Sequence, residues 1–207
     1  YRKSPMEEIL IAREYIIELI ERIEPRKVVV NYGNHDLRFQ NYLAKNLDSD
    51  ILELMPKTAL ELILIDGFNH YNKELHTKVH YDALRDVFDG SVEIVYNDAW
   101  YSVIGDVIFC HPLAYSSGMM ATSEKARRFF KDEGYEFGCL VMAHTHHTGS
   151  YDVGDIVMYE QGAACETSKQ NYSDGKLFRS QKEGFIFLCL DMDGKLIQNA
   201  TELVKLN

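Results

Sequence analysis

Three consecutive valines and an asparagine, Val28-Val29-Val30-Asn31, run through Tyr32 into Gly33-Asn34-His35-Asp36. An unbroken β-branched run suits a buried strand of an α/β sheet better than a half-wetted antiparallel one. A glycine just beyond it allows a sharp turn. An amide, an imidazole and a carboxylate then stand at the C-terminal end of the strand, where open α/β sheets hold their ligands.

The flanking text agrees with this. Ser4-Pro5-Met6-Glu7 carries an N-cap, a first-turn proline and a capping-box glutamate. Ile9, Leu10, Ile16, Ile17, Ile20 and Ile23 follow at near-helical spacing, and Pro25 ends the segment. The pattern predicts a strand over Arg26 to Asn31 and a helix from Leu37 to about Asn46. Residues 48–66 are hard to read, with Leu60 to Ile65 suiting either helix or strand. Leu75, Val79, Leu84, Val87 and Phe88 among charges predict a surface helix over 70–88, stopped by Gly90.

Beyond residue 92 the texture changes to strands: Val92–Tyr96, Trp100–Ile104 and Val107–Cys110, the last two joined by the hairpin signal Gly105-Asp106. A helix is expected from about Thr122 to Asp132. Further strands are expected at Cys139–Ala143, 150–153, 156–161, 185–191 and Lys195–Ala200. No repeat or linker interrupts the 207 residues, so a single domain over 1–207 is the simplest organisation.

Composition narrows the partners. The net charge is −10, so no broad basic surface for nucleic acid shows in the counts, although a bound metal would supply positive charge that the counts omit. Cys110, Cys139, Cys165 and Cys189 form no CxxC pair and lie in or next to apolar stretches, which suits reduced, buried cysteines in a cytoplasmic protein. No stretch approaches the roughly 20 apolar residues of a membrane helix.

Four of the eight histidines, His35, His111, His144 and His146, follow apolar runs at expected strand ends. His144 and His146 have i, i+2 spacing, and curvature at a strand end can turn both rings toward one cavity. Imidazole nitrogen with amide and carboxylate oxygen suits Mn, Fe, Zn or Ni, whereas a thiolate-based structural zinc site is not indicated.

Gly33-Asn34-His35-Asp36, the later His111 and Ala143-His144-Thr145-His146 resemble, in order and spacing, the last three motifs of the calcineurin-like metallophosphoesterases. Glu160-Gln161-Gly162-Ala163 and Glu183-Gly184-Phe185 resemble the tail of phage and prophage members. The resemblance implies a four-layer αββα sandwich of two mixed β-sheets flanked by helices. It also implies two divalent metal ions, Mn2+ first, with Fe, Zn, Ni and Mg as alternatives. Asn34, His111 and His144 would bind one ion and His146 the other. His35 would protonate the leaving oxygen and Asp36 would orient it. Such a centre hydrolyses phosphoesters by activating hydroxide between two ions about 3.5–4 Å apart, and a neutral-pKa imidazole suits the acid role.

The implied activity is phosphodiester hydrolysis, first as a nuclease on DNA or RNA ends. The alternatives are a small-molecule or cyclic-nucleotide phosphodiesterase, a phosphomonoesterase, or an inactive metal-binding subunit. A homodimer would fit the family; a membrane partner would not. The family's two earlier motifs, Asp-x-His and Gly-Asp-x-x-Asp, do not occur here. The expectation is therefore a sequence that begins inside its domain, lacking the first strands. Ala143 and Pro112 also stand where the family favours glycine.

Other residues have weaker claims. Arg38 is a candidate contact for a substrate phosphate, with a structural salt bridge as an equal rival. Tyr32, Tyr115 and Tyr172 are candidates to line the pocket. His147 reads as a solvent-exposed turn residue. His76 and His80 have i, i+4 spacing on the expected helix, where a solvated face is the simpler reading. Lys125, Arg127, Arg128 and Lys131 beside Phe129 and Phe130 read as an amphipathic surface helix, with a phosphate-guiding patch as the rival.

Overall fold

The computed structural model describes residues 4–46, 58–73, 76–167 and 181–206 and shows a mixed α/β chain. It falls into two compact units, Tyr1–Asp98 and Ala99–Asn207.

The first unit opens with α1 (Pro5–Ile23). Its capping box is complete: Glu7 N–H donates to Ser4 Oγ and Ser4 N–H to the Glu7 carboxylate. Such a cap contributes about 1 kcal/mol. Glu24 closes the helix in the left-handed region, φ 50°. Ile9 and Ile20 bury one face of the helix in a core with Ile63, Leu64, Phe68, Leu84 and Ile94.

β1 (Lys27–Asn31) pairs in parallel with β4 (Glu93–Asn97), placing Asn31 opposite Asn97. Val28 to Asn31 are half-buried rather than fully buried. α2 (Leu37–Asn46) follows the glycine turn as expected. Part of the ambiguous 48–66 stretch lies outside the described residues. The rest is α3 (Ala59–Glu61), capped by Thr58, and a π-helical turn at Leu62–Asp66.

The helix expected over 70–88 does not form. That segment holds a hairpin of β2 (Phe68–Asn72) and β3 (Thr77–Tyr81), then the short α4 (Leu84–Val87). Side-chain alternation explains the difference: Phe68 and Tyr81 are register partners and stack at 5.1 Å, while the residues between alternate outward. The few apolar residues of this segment match the helical period, yet Thr77-Lys78-Val79-His80-Tyr81 also has the period-two, β-branched and aromatic text of a strand. His76 and His80 therefore share no helix face. His76 sits in the turn at φ 51°, and His80 lies 3.3 Å from Asp82 and 3.2 Å from Asn69 Oδ1.

The second unit is organised by a five-stranded mixed sheet of order β5-β6-β7-β9-β8: β5 (Tyr101–Ile104), β6 (Val107–Cys110), β7 (Cys139–Met142), β8 (Thr148–Val153) and β9 (Ile156–Gln161). β6, β7 and β9 run parallel, with antiparallel strands on both edges. Every residue of β7 is buried, and β9 is buried from Ile156 to Glu160.

Period-two alternation splits these strands between two cores. Ile108, Leu140, Met142 and Met158 pack with Ala126 and Phe130 of α5 (Ala121–Asp132). Val107, Cys139, Val141, Val157 and Tyr159 face Ile186, Leu188, Leu190 and Leu196. β10 (Glu183–Phe187) pairs with β11 (Glu202–Leu206). The strand expected at Lys195–Ala200 is instead a single bridge at Leu196 and a 3-10 turn at Gln198–Ala200. The strand starts after Thr201, where Leu203 and Val204 can pair back onto β10.

Cys110 and Cys139 are free and buried, as expected. Cys189 is half-buried, and Cys165 departs from the expectation by being exposed. Burial pushes both inner thiols up, Cys139 to about 12 with help from the Asp106 charge, so neither supplies a thiolate near neutral pH. Among the described residues, no helix is long and apolar enough to cross a membrane.

Candidate functional site

The glycine turn in the first unit is held from within. Asp36 Oδ2 accepts the Gly33 N–H at 2.7 Å, and the Asp36 N–H donates to the Gly33 carbonyl at 3.1 Å. The carboxylate thus braces the turn that presents Asn34, half-buried, and His35, exposed. Burial raises the Asp36 carboxyl above the ordinary carboxylate range; the Gly33 N–H and the His35 charge oppose that shift without cancelling it. Arg38 belongs to α2, but its side chain lies outside the described residues, as does Tyr172. Tyr32 is half-buried just before the turn.

In the second unit, parallel β6 and β7 end side by side. The Ala143 N–H donates to the Cys110 carbonyl at 3.0 Å, carrying the pairing one step past the strands. The His111 N–H donates to the Trp100 carbonyl at 2.7 Å. His111 and His144 consequently leave adjacent strands at nearly the same level. Their rings meet edge to face with centroids 5.4 Å apart, and Tyr115 lies 6.0 Å from the His144 ring.

The backbone at the paired histidines is strained. His144 has φ 72° and His146 φ 55°. The Thr145 N–H donates back to the Ala143 carbonyl at 2.8 Å, which with the positive φ makes a γ-turn of the rare, strained kind centred on His144. Left-handed non-glycine residues each cost roughly 1–3 kcal/mol and persist where surrounding structure fixes them. Here the buried β7 on one side, and the Lys182 N–H on the His146 carbonyl at 2.8 Å on the other, hold the turn. Thr145 is buried between the two histidines, which are themselves half-buried.

His147 corrects the sequence reading. Its side chain is only 14% exposed, and its Nδ1 lies 3.7 Å from Glu160 Oε2. Ser123 Oγ donates to the other Glu160 oxygen at 3.2 Å. Glu160, at 4% exposure, ties the histidine loop to α5. The available signal was a lone carboxylate closing the apolar run Ile156-Val157-Met158-Tyr159, since buried carboxylates require partners.

The cations of α5 follow the simpler reading. Arg127 and Arg128 both bind Glu124, at 2.7 Å, and Lys131 lies 3.4 Å from Glu136. Phe130 is fully buried, while Phe129 is 45% exposed.

Among the described residues, no three His, Cys, Asp or Glu side chains gather closely enough to hold a metal ion by themselves. The donor chemistry of the His111–His144 pair nevertheless fits two corners of one site. With metal–nitrogen bonds of about 2.0–2.1 Å, two imidazoles on a tetrahedral ion have centroids about 5 Å apart, close to the observed 5.4 Å.

No protein-family model matches the chain, and no curated protein matches it. Two crystal structures of Vps29 from Entamoeba histolytica are similar to part of it. A single-mutant form has TM-score 0.33 and 17% identity over 56% of this chain and 69% of that one. The wild-type protein complexed with zinc has TM-score 0.34 and 14% identity, over 58% and 73% respectively.

Proposed function

We propose that this chain is a metal-dependent phosphoesterase of the calcineurin-like type, with the αββα layering that such a protein would have. The observation that carries the proposal is the His111–His144 pair at the ends of adjacent parallel strands, with His144 and His146 both held at positive φ. A fold gains nothing in stability from two strained histidines in three residues, so a demand on ring placement is the reason to keep them.

In this reading His111, His144, His146 and the amide oxygen of Asn34 are ligands for divalent ions, Mn2+ first. Bound ions would polarise a phosphate and lower the pKa of a water. The remaining steps fall to this chain's own side chains. His35, exposed after the glycine turn, donates a proton to the departing oxygen. Asp36 fixes the turn that carries His35 through the Gly33 N–H. Arg38 contacts the substrate phosphate.

The substrate proposed is a phosphodiester. A nuclease was the first expectation. The net charge of −10 favours a small-molecule diester instead, because a strand of nucleic acid needs a run of cations along its path.

Hydrolysis of bis-p-nitrophenyl phosphate with added Mn2+ tests the class. Activity should appear with metal and vanish with chelator. His35→Ala should remove most turnover while Mn2+ affinity, measured by calorimetry, stays near that of the parent. Loss of metal along with turnover would refute the role given to His35, and an inert parent protein would refute the class.

A further inference from the structure

A cavity of about 380 Å³ opens beside the strand end that carries His111, with walls from Trp100, Leu113, Ala126 and Phe129. That volume lies at the lower end of the roughly 300–1,000 Å³ typical of small-molecule sites. Its outer wall is the loop that continues directly from His111 through Pro112. Thr122 Oγ1 braces this loop by accepting the Ser116 N–H at 3.0 Å. Trp100 and Phe129 offer two aromatic surfaces with centroids 5.6 Å apart. The cavity wall is thus apolar and aromatic, and Leu113 is 53% exposed at its edge.

One cation stands at this cavity. Of the four on α5, Arg127 and Arg128 share the Glu124 carboxylate and Lys131 lies against Glu136, whereas Lys125 Nζ donates at 2.7 Å to Ser116 Oγ, a neutral hydroxyl. Among the described residues Lys125 makes no ion pair. In a protein of net charge −10, a cation left with a hydroxyl at the edge of an aromatic cavity complements an anion carrying a flat ring.

We infer that this cavity binds the aromatic arm of an organic phosphate, a nucleobase being the ring that fits, with Lys125 on its anionic group. Its use as a substrate subsite rests on the phosphoesterase reading above, because the cavity adjoins His111. The ring packs against the wall formed by Trp100 and Phe129, as bases stack on aromatic side chains. Lys125 exchanges the Ser116 hydroxyl for the anion, a stronger, charge-assisted partner.

Trp100 is the only tryptophan in the chain, so its fluorescence reports the cavity directly. The experiment titrates the full chain, in chelator, with AMP, adenosine and inorganic phosphate in separate arms. AMP should quench saturably, adenosine more weakly, and phosphate not at all. Lys125→Gln should weaken AMP about tenfold, toward the adenosine value, the loss expected for one charge-assisted hydrogen bond. Leu113→Asp should abolish quenching by both ring compounds. Both positions are exposed, so neither variant threatens the core, and far-ultraviolet circular dichroism checks that each is folded.

Absence of saturable quenching by AMP, equal quenching by phosphate alone, or unchanged quenching in folded Leu113→Asp would each overturn the inference. Because the assay needs neither metal nor turnover, it separates the two proposals. Quenching without hydrolysis of bis-p-nitrophenyl phosphate would leave the cavity standing and remove the phosphoesterase. Hydrolysis without quenching would remove the cavity.

Discussion

The His111 and His144 rings meet edge to face at 5.4 Å because their strands, β6 and β7, are parallel neighbours whose pairing extends through the Ala143 N–H and the Cys110 carbonyl. Packing alone would accept many residues at 144. Its φ of 72° is instead a position that glycine fills without strain.

His144→Gly should therefore separate stability from function. Relief of left-handed strain is worth about 1–2 kcal/mol, partly offset by lost contacts with His111 and Tyr115. The expected net gain is about 1 kcal/mol, a rise of roughly 2–4 °C in Tm for a chain of this size. Calorimetric Mn2+ binding should fall at least 100-fold, beyond the roughly 10–100-fold typical of losing a mere supporting residue. A melting curve unchanged or lowered would show that the γ-turn is unstrained, and retained metal affinity would show that His144 is no ligand.

Much of the chain was legible where periodicity was strong. α1 and its capping box, the Gly105-Asp106 hairpin, and the buried β7 and β9 follow from local text. The 70–88 segment was not, since Phe68 and Tyr81 declare themselves as strand residues only when paired across a turn. His147 was misread for a related reason. A lone histidine after a strand looks solvated until a carboxylate from another strand, Glu160, is brought to it. The γ-turn at His144 was also invisible: histidine enters positive φ more often than most residues but too rarely to mark a turn, and no glycine stands among residues 143–146. Candidate ligands could be read from residue type and strand-end position, but the strain that aims them depends on tertiary contacts.

Asp36 carries a pH signature. Burial raises its carboxyl, so the folded state prefers the proton more than the unfolded chain does. Stability should decline as pH rises from the unfolded value of about 3.9 through the raised folded value, and then level off. Asp36→Asn removes the charge while its amide oxygen can still accept the Gly33 N–H. The variant should melt higher than the parent at pH 7, and the gap should close by pH 4. A constant gap across that range would mean that the carboxylate is well solvated.

Glu124 behaves in the opposite sense. Its hydrogen bond with Arg127, against the push from burial and with further help from Arg128, holds the carboxyl down at about 2. The stabilisation is fully present above the unfolded value of about 4.3 and is lost as pH falls toward 2. Solvent screens this partly exposed cluster, so the contribution is roughly 0.5–1 kcal/mol. Glu124→Gln should lower Tm at pH 7 by a few degrees, less in 1 M salt, and the two melting curves should converge near pH 2. A salt-independent difference would assign the effect to packing.

The hairpin tip between β5 and β6 offers a control on backbone strain. Gly105, at φ 59°, packs directly on Gly194, and a methyl group there would overlap the Gly194 carbonyl oxygen. That carbonyl accepts the Asp106 N–H at 2.8 Å, while Asp106 Oδ1 accepts the Leu196 N–H at 3.0 Å. The tip thus fastens the 191–196 turn to the sheet. Gly154, between β8 and β9, has φ 64° but open space around it. Gly154→Ala should lose only the conformational strain, about 1 kcal/mol. Gly105→Ala adds a clash with backbone that cannot move aside, for a total of roughly 2–4 kcal/mol. Urea denaturation of the two variants measures the difference, and equal midpoints would show that the 191–196 turn is not docked on the hairpin.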